Sequence, residues 1–302
     1  MNLYSFAPVV LFVYARVDHT QLTIKALLDN PEAKDTDLII YADAARNEKD
    51  AVAVQAVRDY ISNVTGFKTM TLYFREKNVG LAKNIIEGVT QVCQQYGRVI
   101  VLEDDIVTSP AFLGFMNAAL GKYQTEPKVW HISAWNYPMR STQLLPETFF
   151  WRTMNCWGWA TWADRWQHFK KEPTKLVDNW STAEIERFNL DGAYDFWSQV
   201  TANQQGKLNT WAIFWYATIF SHQGLCLNPT SSFVANIGND GSGENCGDKD
   251  VYKTELAISF NQGWPVELAE NYLVSKLIKD FYQSLKPSLF RRILGKIKRI
   301  FI

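Results

Sequence analysis

Short apolar runs alternate with amphipathic helical patterns over the first third of the 302-residue chain. Runs rich in β-branched and aromatic residues predict strands, and the segments between them have the 3.6-residue period of helices. Because this alternation needs crossover connections, it predicts an α/β protein with a mostly parallel, Rossmann-like sheet flanked by helices. The predicted strands are Val9 to Tyr14, Asp37 to Tyr41, Thr69 to Phe74 and Val99 to Leu102, and the predicted helices are Thr20 to Leu28, Glu48 to Ile61 and Ala82 to Gln94.

Charged residues follow three of these predicted strands. Arg16 comes after the first strand, Asp43 after the second, and Glu103, Asp104 and Asp105 after the fourth. Open parallel sheets bind their ligands outside the carboxyl ends of the strands. We therefore expect these side chains to contribute to one ligand site.

The acidic triplet formed by Glu103, Asp104 and Asp105 predicts a cation site. Adjacent carboxylates repel one another and are costly to desolvate, so a cation is their simplest partner. Oxygen ligands favour Mg²⁺ or Mn²⁺, which bind one or two carboxylates together with substrate phosphates and make a diphosphate a better leaving group. The alternative is a solvated acidic turn that caps the next helix. The chain contains no GxxxxGK[ST] or GxGxxG sequence, so metal and side chains would have to hold a diphosphate.

Chain length, charge and cysteine content limit the class of protein. The chain can bury a sizeable core, and its 31 basic and 31 acidic residues suggest no nucleic-acid partner. Cys93, Cys156, Cys226 and Cys246 are scattered without a CxxC pair, which predicts thiols in a reducing, cytoplasmic compartment. The apolar run from Phe6 to Ala15 lacks a basic leader and is shorter than the roughly 20 residues of a membrane span, so we interpret it as the first strand.

The pattern changes near residue 130 to irregular, tryptophan-dense sequence. No internal repeat and no long Gly/Ser linker separates the two parts. We predict that residues 1–130 form the Rossmann-like half and residues 131–285 the second half of the same domain. Residues 286–302 are predicted to form a separate C-terminal helix.

The C-terminal segment has six basic residues and no acidic residue from Lys286 to Ile302. Its apolar residues recur at helical spacing, which predicts a basic amphipathic helix. Such a helix can lie in an anionic membrane surface, so we predict peripheral association with the inner face of the cell membrane. The alternative is a terminal helix that packs on the protein's own core.

Five motifs occur in one order along the chain. They are Ala15-Arg16, Asp43, Asn78-Val79-Gly80-Leu81, Val101-Leu102-Glu103-Asp104-Asp105 and His131-Ile132-Ser133-Ala134-Trp135-Asn136. Each motif alone is weak, but the ordered set resembles the GT-A glycosyltransferases. It is more closely similar to the N-acetylglucosaminyltransferase I family and its bacterial sugar-transferase cousins, over about residues 7 to 250.

The resemblance implies that residues 1–130 bind a nucleotide-sugar. Arg16 would contact the diphosphate, and Asp43 would hydrogen-bond the uracil or other base. Glu103 and Asp104 would bind sugar and ribose hydroxyls, while Asp105 would be the metal ligand in a DXD-like motif. Lys83, on the following helix, is predicted to join the donor site. The alternative for Asp43 is a structural role, since acids at strand ends also cap helices.

The second half is predicted to bind the acceptor. Four tryptophans lie between Trp157 and Trp166 and cannot all occupy one strand face, so at least one is expected at a cleft. Aromatic rings stack on the apolar faces of sugars. The alternative, a tryptophan-rich core, is expected for two of the four. The predicted acceptor-binding residues are Trp135, Asn136, Trp157 and Trp159.

Residues 236–245 contain three glycines among small polar residues. This composition predicts a mobile loop of the kind that closes over a substrate, with an exposed loop of no function as the alternative.

An inverting transfer needs a carboxylate that takes the proton of the acceptor hydroxyl. The resembled family has this acid in a Trp-Asp segment, but the matching positions in this sequence are Asn209, Ala212 or Ile213. We therefore predict Asp240 as the base, followed by Glu244 and Asp195. A retaining mechanism would not need the same residue.

The leading hypothesis is a metal-dependent transferase that moves a hexose or N-acetylhexosamine from a nucleotide-sugar, most simply a UDP-sugar. The acceptor would be a glycan or lipid-linked glycan, in bacterial surface polysaccharide or glycan synthesis. One alternative is a sugar nucleotidyltransferase, although no glycine-rich basic loop occurs between Val13 and Thr20. The other is a carbohydrate-binding pseudoenzyme of the same fold.

Overall fold

The computed structural model describes residues 6–139, 145–238 and 251–285. Strands and helices alternate through the first part of the chain, as the sequence predicts. The strands are β1 (Val9–Val13), β2 (Asp37–Ala42), β3 (Thr69–Phe74), β4 (Arg98–Glu103) and β5 (Ile106–Thr108). The helices are α1 (Val17–Leu28), α2 (Glu48–Ser62), α3 (Leu81–Tyr96) and α4 (Phe112–Lys122), with a 3-10 turn at Ala33–Asp35.

The second part of the chain supplies further strands and a layer of short helices. Its strands are β6 (Val129–Ser133), β7 (Thr148–Trp151), β8 (Trp159–Trp162), β9 (Leu225–Pro229) and β10 (Val234–Asn236). Its helices are α5 (Ala163–Trp166), α6 (Pro173–Asn179), α7 (Thr182–Phe188), α8 (Trp197–Gln204), α9 (Ala212–Ser221) and α10 (Tyr272–Leu285).

Eight strands form one sheet in the order β3-β2-β1-β4-β8-β6-β9-β7. Strands β1 to β4 are parallel, and β8 and β7 run against their neighbours. The α/β class with a mostly parallel sheet flanked by helices is therefore confirmed. The boundary predicted after residue 130 falls inside β6, so the two halves share one sheet and not merely an interface.

The centre of the sheet is buried on both faces, which explains the continuous apolar sequence of its strands. All five residues of β1 are buried between β2 and β4. Helix α3 crosses this region closely, because a Cβ at Gly88 would stand 2.8 Å from the ring of Phe12. The close approach of α3 to β1 thus depends on the small residue at position 88.

A second, two-stranded sheet joins distant parts of the chain. Strand β10 pairs antiparallel with β5, with Asn236 opposite Ile106. Because β5 begins directly after the acidic triplet, this pairing carries the end of β10 to the carboxyl end of β4.

No helix within the described residues is long and apolar enough to cross a membrane. The C-terminal helix predicted for residues 286–302 lies outside the described residues. Cys93 and Cys226 are buried free thiols, and Cys246 also lies outside the described part of the chain.

Candidate active site

The strand directions bring the predicted site segments to one edge of the sheet. Strands β1, β2, β4 and β6 end there, which places Arg16, Asp43, the acidic triplet and residues 134–136 along a common edge. Strand β8 runs the opposite way, so Trp157, just before it, lies at the same edge. Five segments that are remote in sequence therefore converge on one edge.

Arg16 binds both aspartates of the acidic triplet. Its Nη2 donates to Oδ1 of Asp104 and, at 2.8 Å, to Oδ2 of Asp105. The Arg16 carbonyl accepts from the backbone N–H and the hydroxyl of Thr20, which anchors it to the first turn of α1. Thr23 donates its hydroxyl to the carbonyl of Asp104 at 2.8 Å. Helix α1 thus anchors the backbone of Arg16 through Thr20 and the backbone of Asp104 through Thr23.

Burial and mutual repulsion shape the ionisation of this group. Burial, together with the charges of Asp105 and Asp104, raises the pKa of Glu103 to about 8 against the opposing effect of Arg16. Burial also raises the pKa of Asp104, and the Arg16 guanidinium partly offsets that rise. Burial disfavours the charged form of Arg16, but the two carboxylates raise its pKa above the ordinary value. At neutral pH a protonated Glu103 can donate a hydrogen bond as well as accept one.

Residues 236–238, called here the covering segment, lie directly on the acidic triplet. The N–H of Ile237 donates to the carbonyl of Asp105 at 2.9 Å, which extends the pairing of β5 and β10. A Cβ at position 238 would clash with Oδ2 of Asp105 and stand 3.0 Å from Nη1 of Arg16, so any larger residue would force the segment or these side chains to shift. Sequence reasoning found the glycines of this loop but not the contact, because β5 and β10 are far apart along the chain. Asp240 and Glu244, the first two candidates for the base, lie outside the described residues.

Asp43 caps a loop and a helix start in this structure. Its carboxylate accepts from the backbone N–H groups of Ala44 at 2.9 Å, Val79 at 3.0 Å and Gly80 at 2.9 Å. Gly80 is the N-terminal cap of α3. Because both carboxylate oxygens are already occupied by backbone donors, the structure supports the capping role and gives no support to the base contact that we predicted.

Lys83 lies on the solvent side of α3. Its side chain is 61% exposed, and its Nζ is 3.7 Å from a carboxylate oxygen of Glu87. The structure therefore shows a surface ion pair and no contact with the Arg16 cluster.

Trp157 and Trp135 form an aromatic cluster at the sheet edge together with Tyr252. Their rings meet edge to face, with centroids 4.7 Å apart for Trp135 and Trp157 and 5.8 Å apart for Trp157 and Tyr252. Trp135 is buried and Trp157 is half-buried. Gly158, at φ +61°, turns the chain between Trp157 and β8 and has no room for a side chain beside Val234. Trp157 is thus the predicted acceptor residue with an exposed surface.

Asn136 and Trp159, two of the predicted acceptor residues, occupy buried packing positions in this structure. Asn136 is 1% exposed, and its backbone N–H donates to Ser232 Oγ at 2.9 Å. Its Nδ2 donates to the carbonyl of Thr230 at 3.2 Å. Trp159 is fully buried inside the sheet layer and stacks on Trp211 at 5.1 Å. The Trp159 side chain therefore packs against the residues around α9 and has no exposed surface for an acceptor.

The segment that carries the base in the resembled family has no acid here. Helix α9 is apolar and mostly buried, including Ile213, and Asn209 accepts a hydrogen bond from Lys171. Asp195, the third candidate, accepts from the backbone N–H of Ser198 at 3.1 Å and caps the start of α8. This contact gives Asp195 a structural role.

Within the described residues, no group of three or more His, Cys, Asp or Glu side chains is arranged to hold a metal ion. Asp104 and Asp105 nevertheless supply carboxylate oxygens of the type that Mg²⁺ and Mn²⁺ take, and one or two such ligands suffice when phosphates complete the shell. The residues therefore fit a divalent ion that binds together with a diphosphate. They do not form a complete metal cage.

No family model matches the chain. Among solved structures, similarity is found to a mannosyltransferase from Pyrobaculum calidifontis in complex with GDP-Man and Mn²⁺. The TM-score is 0.41 at 11% identity, over 73% of this chain and 70% of that chain. UDP-glucose pyrophosphorylase complexed with UDP-glucose gives a TM-score of 0.37 at 12% identity, over 74% of this chain and 90% of that chain. Similarity at this level does not establish a shared function, so the functional conclusion rests on the residues of the site.

Proposed function

We propose that the protein is a metal-dependent glycosyltransferase that moves a hexose or N-acetylhexosamine from a nucleotide-sugar to a glycan or lipid-linked glycan. The observation that carries this proposal is the cluster of Arg16, Asp104 and Asp105 at the carboxyl edge of the sheet. It combines a cation suited to a diphosphate with carboxylates suited to a divalent ion.

The donor diphosphate would lie between Arg16 and the acidic triplet. Nη1 of Arg16 is buried and has no hydrogen-bond partner within the described residues, so it has a donor to offer a phosphate oxygen. Asp105, with Asp104 beside it, would hold Mn²⁺ or Mg²⁺. Such an ion neutralises charge that develops on the leaving diphosphate. Glu103 would hydrogen-bond a hydroxyl of the sugar or ribose.

The transfer forms a bond between the acceptor oxygen and the anomeric carbon and breaks the bond from that carbon to the diphosphate. The electron pair of the broken bond leaves with the nucleoside diphosphate. In the inverting case the hydroxyl proton passes to a carboxylate. Asp240 is our candidate for that base because it follows Gly238 by two residues in the sequence, with Glu244 as the second candidate.

The acceptor would contact the aromatic cluster at the sheet edge. Trp157 has the partly exposed ring, and Trp135 supports it edge to face. A sugar ring can stack on such a surface while its hydroxyls remain free for polar partners. A lipid-linked acceptor also fits the predicted attachment of residues 286–302 to the cytoplasmic membrane face. Unchanged vesicle partitioning after deletion of residues 286–302 would contradict that attachment.

The test is release of nucleoside diphosphate from a panel of UDP- and GDP-sugars with Mn²⁺. We expect Asp105→Asn to lower the rate by at least about a hundredfold, because an interaction with developing charge is worth several kcal/mol. Asp178→Asn, which changes an exposed acid of α6, is the matched control and should behave like wild type. Equal rates for Asp105→Asn and wild type would contradict the proposal.

A donor-binding protein without turnover is the second candidate. It is favoured because, within the described part of the chain, residues 209–213 include no carboxylate and Asp195 accepts a hydrogen bond at the start of α8. Nucleotide-sugar binding with no release of UDP or GDP, for any acceptor tried, would support it. Formation of a nucleotide-sugar from a nucleoside triphosphate and a sugar phosphate would instead indicate a nucleotidyltransferase.

A further inference from the structure

The guanidinium of Arg16 binds both aspartates of the proposed metal site. Nη2 of Arg16 contacts a carboxylate oxygen of Asp104 and of Asp105 at once. The exposed fraction of the side chain is 23% for Arg16, 7% for Asp104 and 11% for Asp105. Solvent therefore screens this ion pair far less than an ion pair on the surface. A divalent ion that approaches the same oxygens must compete with the guanidinium.

The guanidinium is not fully satisfied in this arrangement. Nη1 of Arg16 is buried and lacks an acceptor within the described residues. An N–H group without an acceptor in a buried position costs free energy that a new acceptor would recover. A phosphate oxygen would be such an acceptor, and it would draw Arg16 away from the carboxylates.

The covering segment packs against the ion pair of Arg16 with Asp104 and Asp105. The N–H of Gly238 donates to Oδ1 of Asn236 at 2.8 Å, which fixes a tight turn within this segment. The backbone of Gly238 lies so close to both side chains that a Cβ at this position would clash with Oδ2 of Asp105 and stand 3.0 Å from Nη1 of Arg16. A ligand that approaches Oδ2 of Asp105 from the side of Gly238 would therefore displace the covering segment or the carboxylate.

We propose that Arg16 is an internal cation that holds Asp104 and Asp105 before a ligand binds and moves to the diphosphate when a divalent ion takes its place. Gly238 covers this ion pair, because its backbone packs directly against Asp105 and Arg16. The proposal rests on the proposed function. Arg16 would then couple metal binding to donor binding.

The exchange has a consequence for affinity. A divalent ion alone must displace Arg16 and leave a guanidinium without a counter-ion, so it binds weakly. A nucleoside diphosphate offers Arg16 a new partner, so ion and nucleotide each raise the affinity for the other by the same factor. Without Arg16, the ion should bind well alone, and the mutual effect should shrink.

The experiment measures binding of Mn²⁺ alone, from the loss of the electron paramagnetic resonance signal of the free aqua ion, at fixed pH. Wild type, Arg16→Gln and Arg16→Lys are compared with and without UDP or GDP. We expect Arg16→Gln to bind Mn²⁺ alone at least about tenfold more tightly than wild type and to bind the nucleotide more weakly. Arg16→Lys keeps a positive charge and should stay close to wild type for Mn²⁺ alone.

Unchanged or weaker binding of Mn²⁺ alone by Arg16→Gln overturns the exchange, because it would mean that Arg16 only orients the carboxylates. If wild type binds Mn²⁺ with UDP or GDP in that case, the proposed function survives and the exchange alone fails. If no variant binds Mn²⁺ under any condition, both fail.

Gly238→Ala keeps the proposal testable if Arg16→Gln does not fold. The added Cβ would clash with Oδ2 of Asp105, so it must separate the covering segment from this carboxylate. We expect Mn²⁺ alone to bind about threefold more tightly than to wild type, since only the cover is lost. Unchanged or weaker binding would contradict the closing role of Gly238.

Discussion

Two aromatic clusters of the second half use the same residue type for opposite purposes. The core cluster of Trp159, Trp166, Trp211, Trp215 and His131 is buried between the sheet and α9, whereas the edge cluster of Trp135, Trp157 and Tyr252 lies where strands end. Trp157 and Trp159 are only two residues apart in the sequence. Position relative to the strand, and not residue type, therefore decides which tryptophan can meet a ligand.

The core cluster is connected by polar contacts as well as by ring packing. Trp215 donates its Nε1–H to Nδ1 of His131 at 3.1 Å, and Nε2 of His131 lies 3.1 Å from the carbonyl of Asn155. Since Nδ1 accepts, Nε2 carries the proton, and the imidazole is neutral. The edge cluster shows only edge-to-face contacts among its three rings. The first cluster is thus built for stability, and the second leaves a ring surface available.

The largest expected effect is the loss of stability on truncating the core cluster. Trp159→Ala removes a fully buried ring, and we expect the free energy of unfolding to fall by about 3–5 kcal/mol. Trp157→Ala removes a half-buried ring and should cost about 1–2 kcal/mol. Denaturant unfolding of both variants checks the difference. Equal losses would show that the two clusters do not differ in the way described.

Acid should weaken the core cluster through His131. Burial lowers the pKa of this imidazole to about 3, although its hydrogen bond to the Asn155 carbonyl works in the other direction. The unfolded chain takes up a proton below about pH 6.5 while the folded state does not, so stability present above pH 6.5 is lost progressively as the pH falls toward 3. At pH 5 the loss should be about 2 kcal/mol.

Nuclear magnetic resonance of the histidine rings measures this directly. The His131 signals, assigned with His131→Asn, should not titrate between pH 8 and pH 5. In denaturant unfolding, His131→Asn should lose less stability than wild type between pH 7.5 and pH 5. A His131 that titrates near pH 6.5 would contradict the neutral, buried imidazole.

Local patterns were enough to predict most of the first half. The strand predicted from Thr69 to Phe74 coincides with β3, and the strand predicted from Val99 to Leu102 is one residue short at each end. Apolar runs of this kind report burial residue by residue, and the sheet buries them on both faces. Helix α1 begins at Val17, three residues before the predicted start at Thr20. The sequence did not indicate this start, because the N-cap residue Arg16 makes no side-chain capping hydrogen bond.

The candidate site could be predicted only in part. Strand ends identified Arg16 and the acidic triplet, because the topology of a parallel sheet places such ends at one edge. The contact of Gly238 with Asp105 and the position of Trp159 could not be predicted. The first depends on the pairing of strands that are remote in sequence, and the second on the residue at which β8 begins, and neither leaves a periodic signal.

A smaller effect is expected on catalysis at the edge cluster. Trp157→Ala should raise the KM for the acceptor by about fivefold and leave donor binding unchanged, because one stacked ring contributes about 1 kcal/mol. Trp157→Phe keeps an aromatic face and should recover part of this loss. Initial rates at varied acceptor concentration give the comparison. A fall in donor affinity for Trp157→Ala, with no change in acceptor KM, would place this ring on the donor side.

The smallest expected effect tests whether helix α10 supports the edge cluster. Tyr137 meets Trp135 edge to face at 4.7 Å, and its hydroxyl is hydrogen-bonded to that of Tyr282 on α10 at 2.6 Å. Each of Tyr137→Phe and Tyr282→Phe should lower the free energy of unfolding by about 1 kcal/mol, since a buried hydroxyl loses its partner. The double variant should cost less than the two single losses combined, because both changes remove the same bond. Additive losses in denaturant unfolding would show that the two hydroxyls act independently and that α10 contributes to the edge cluster by packing alone.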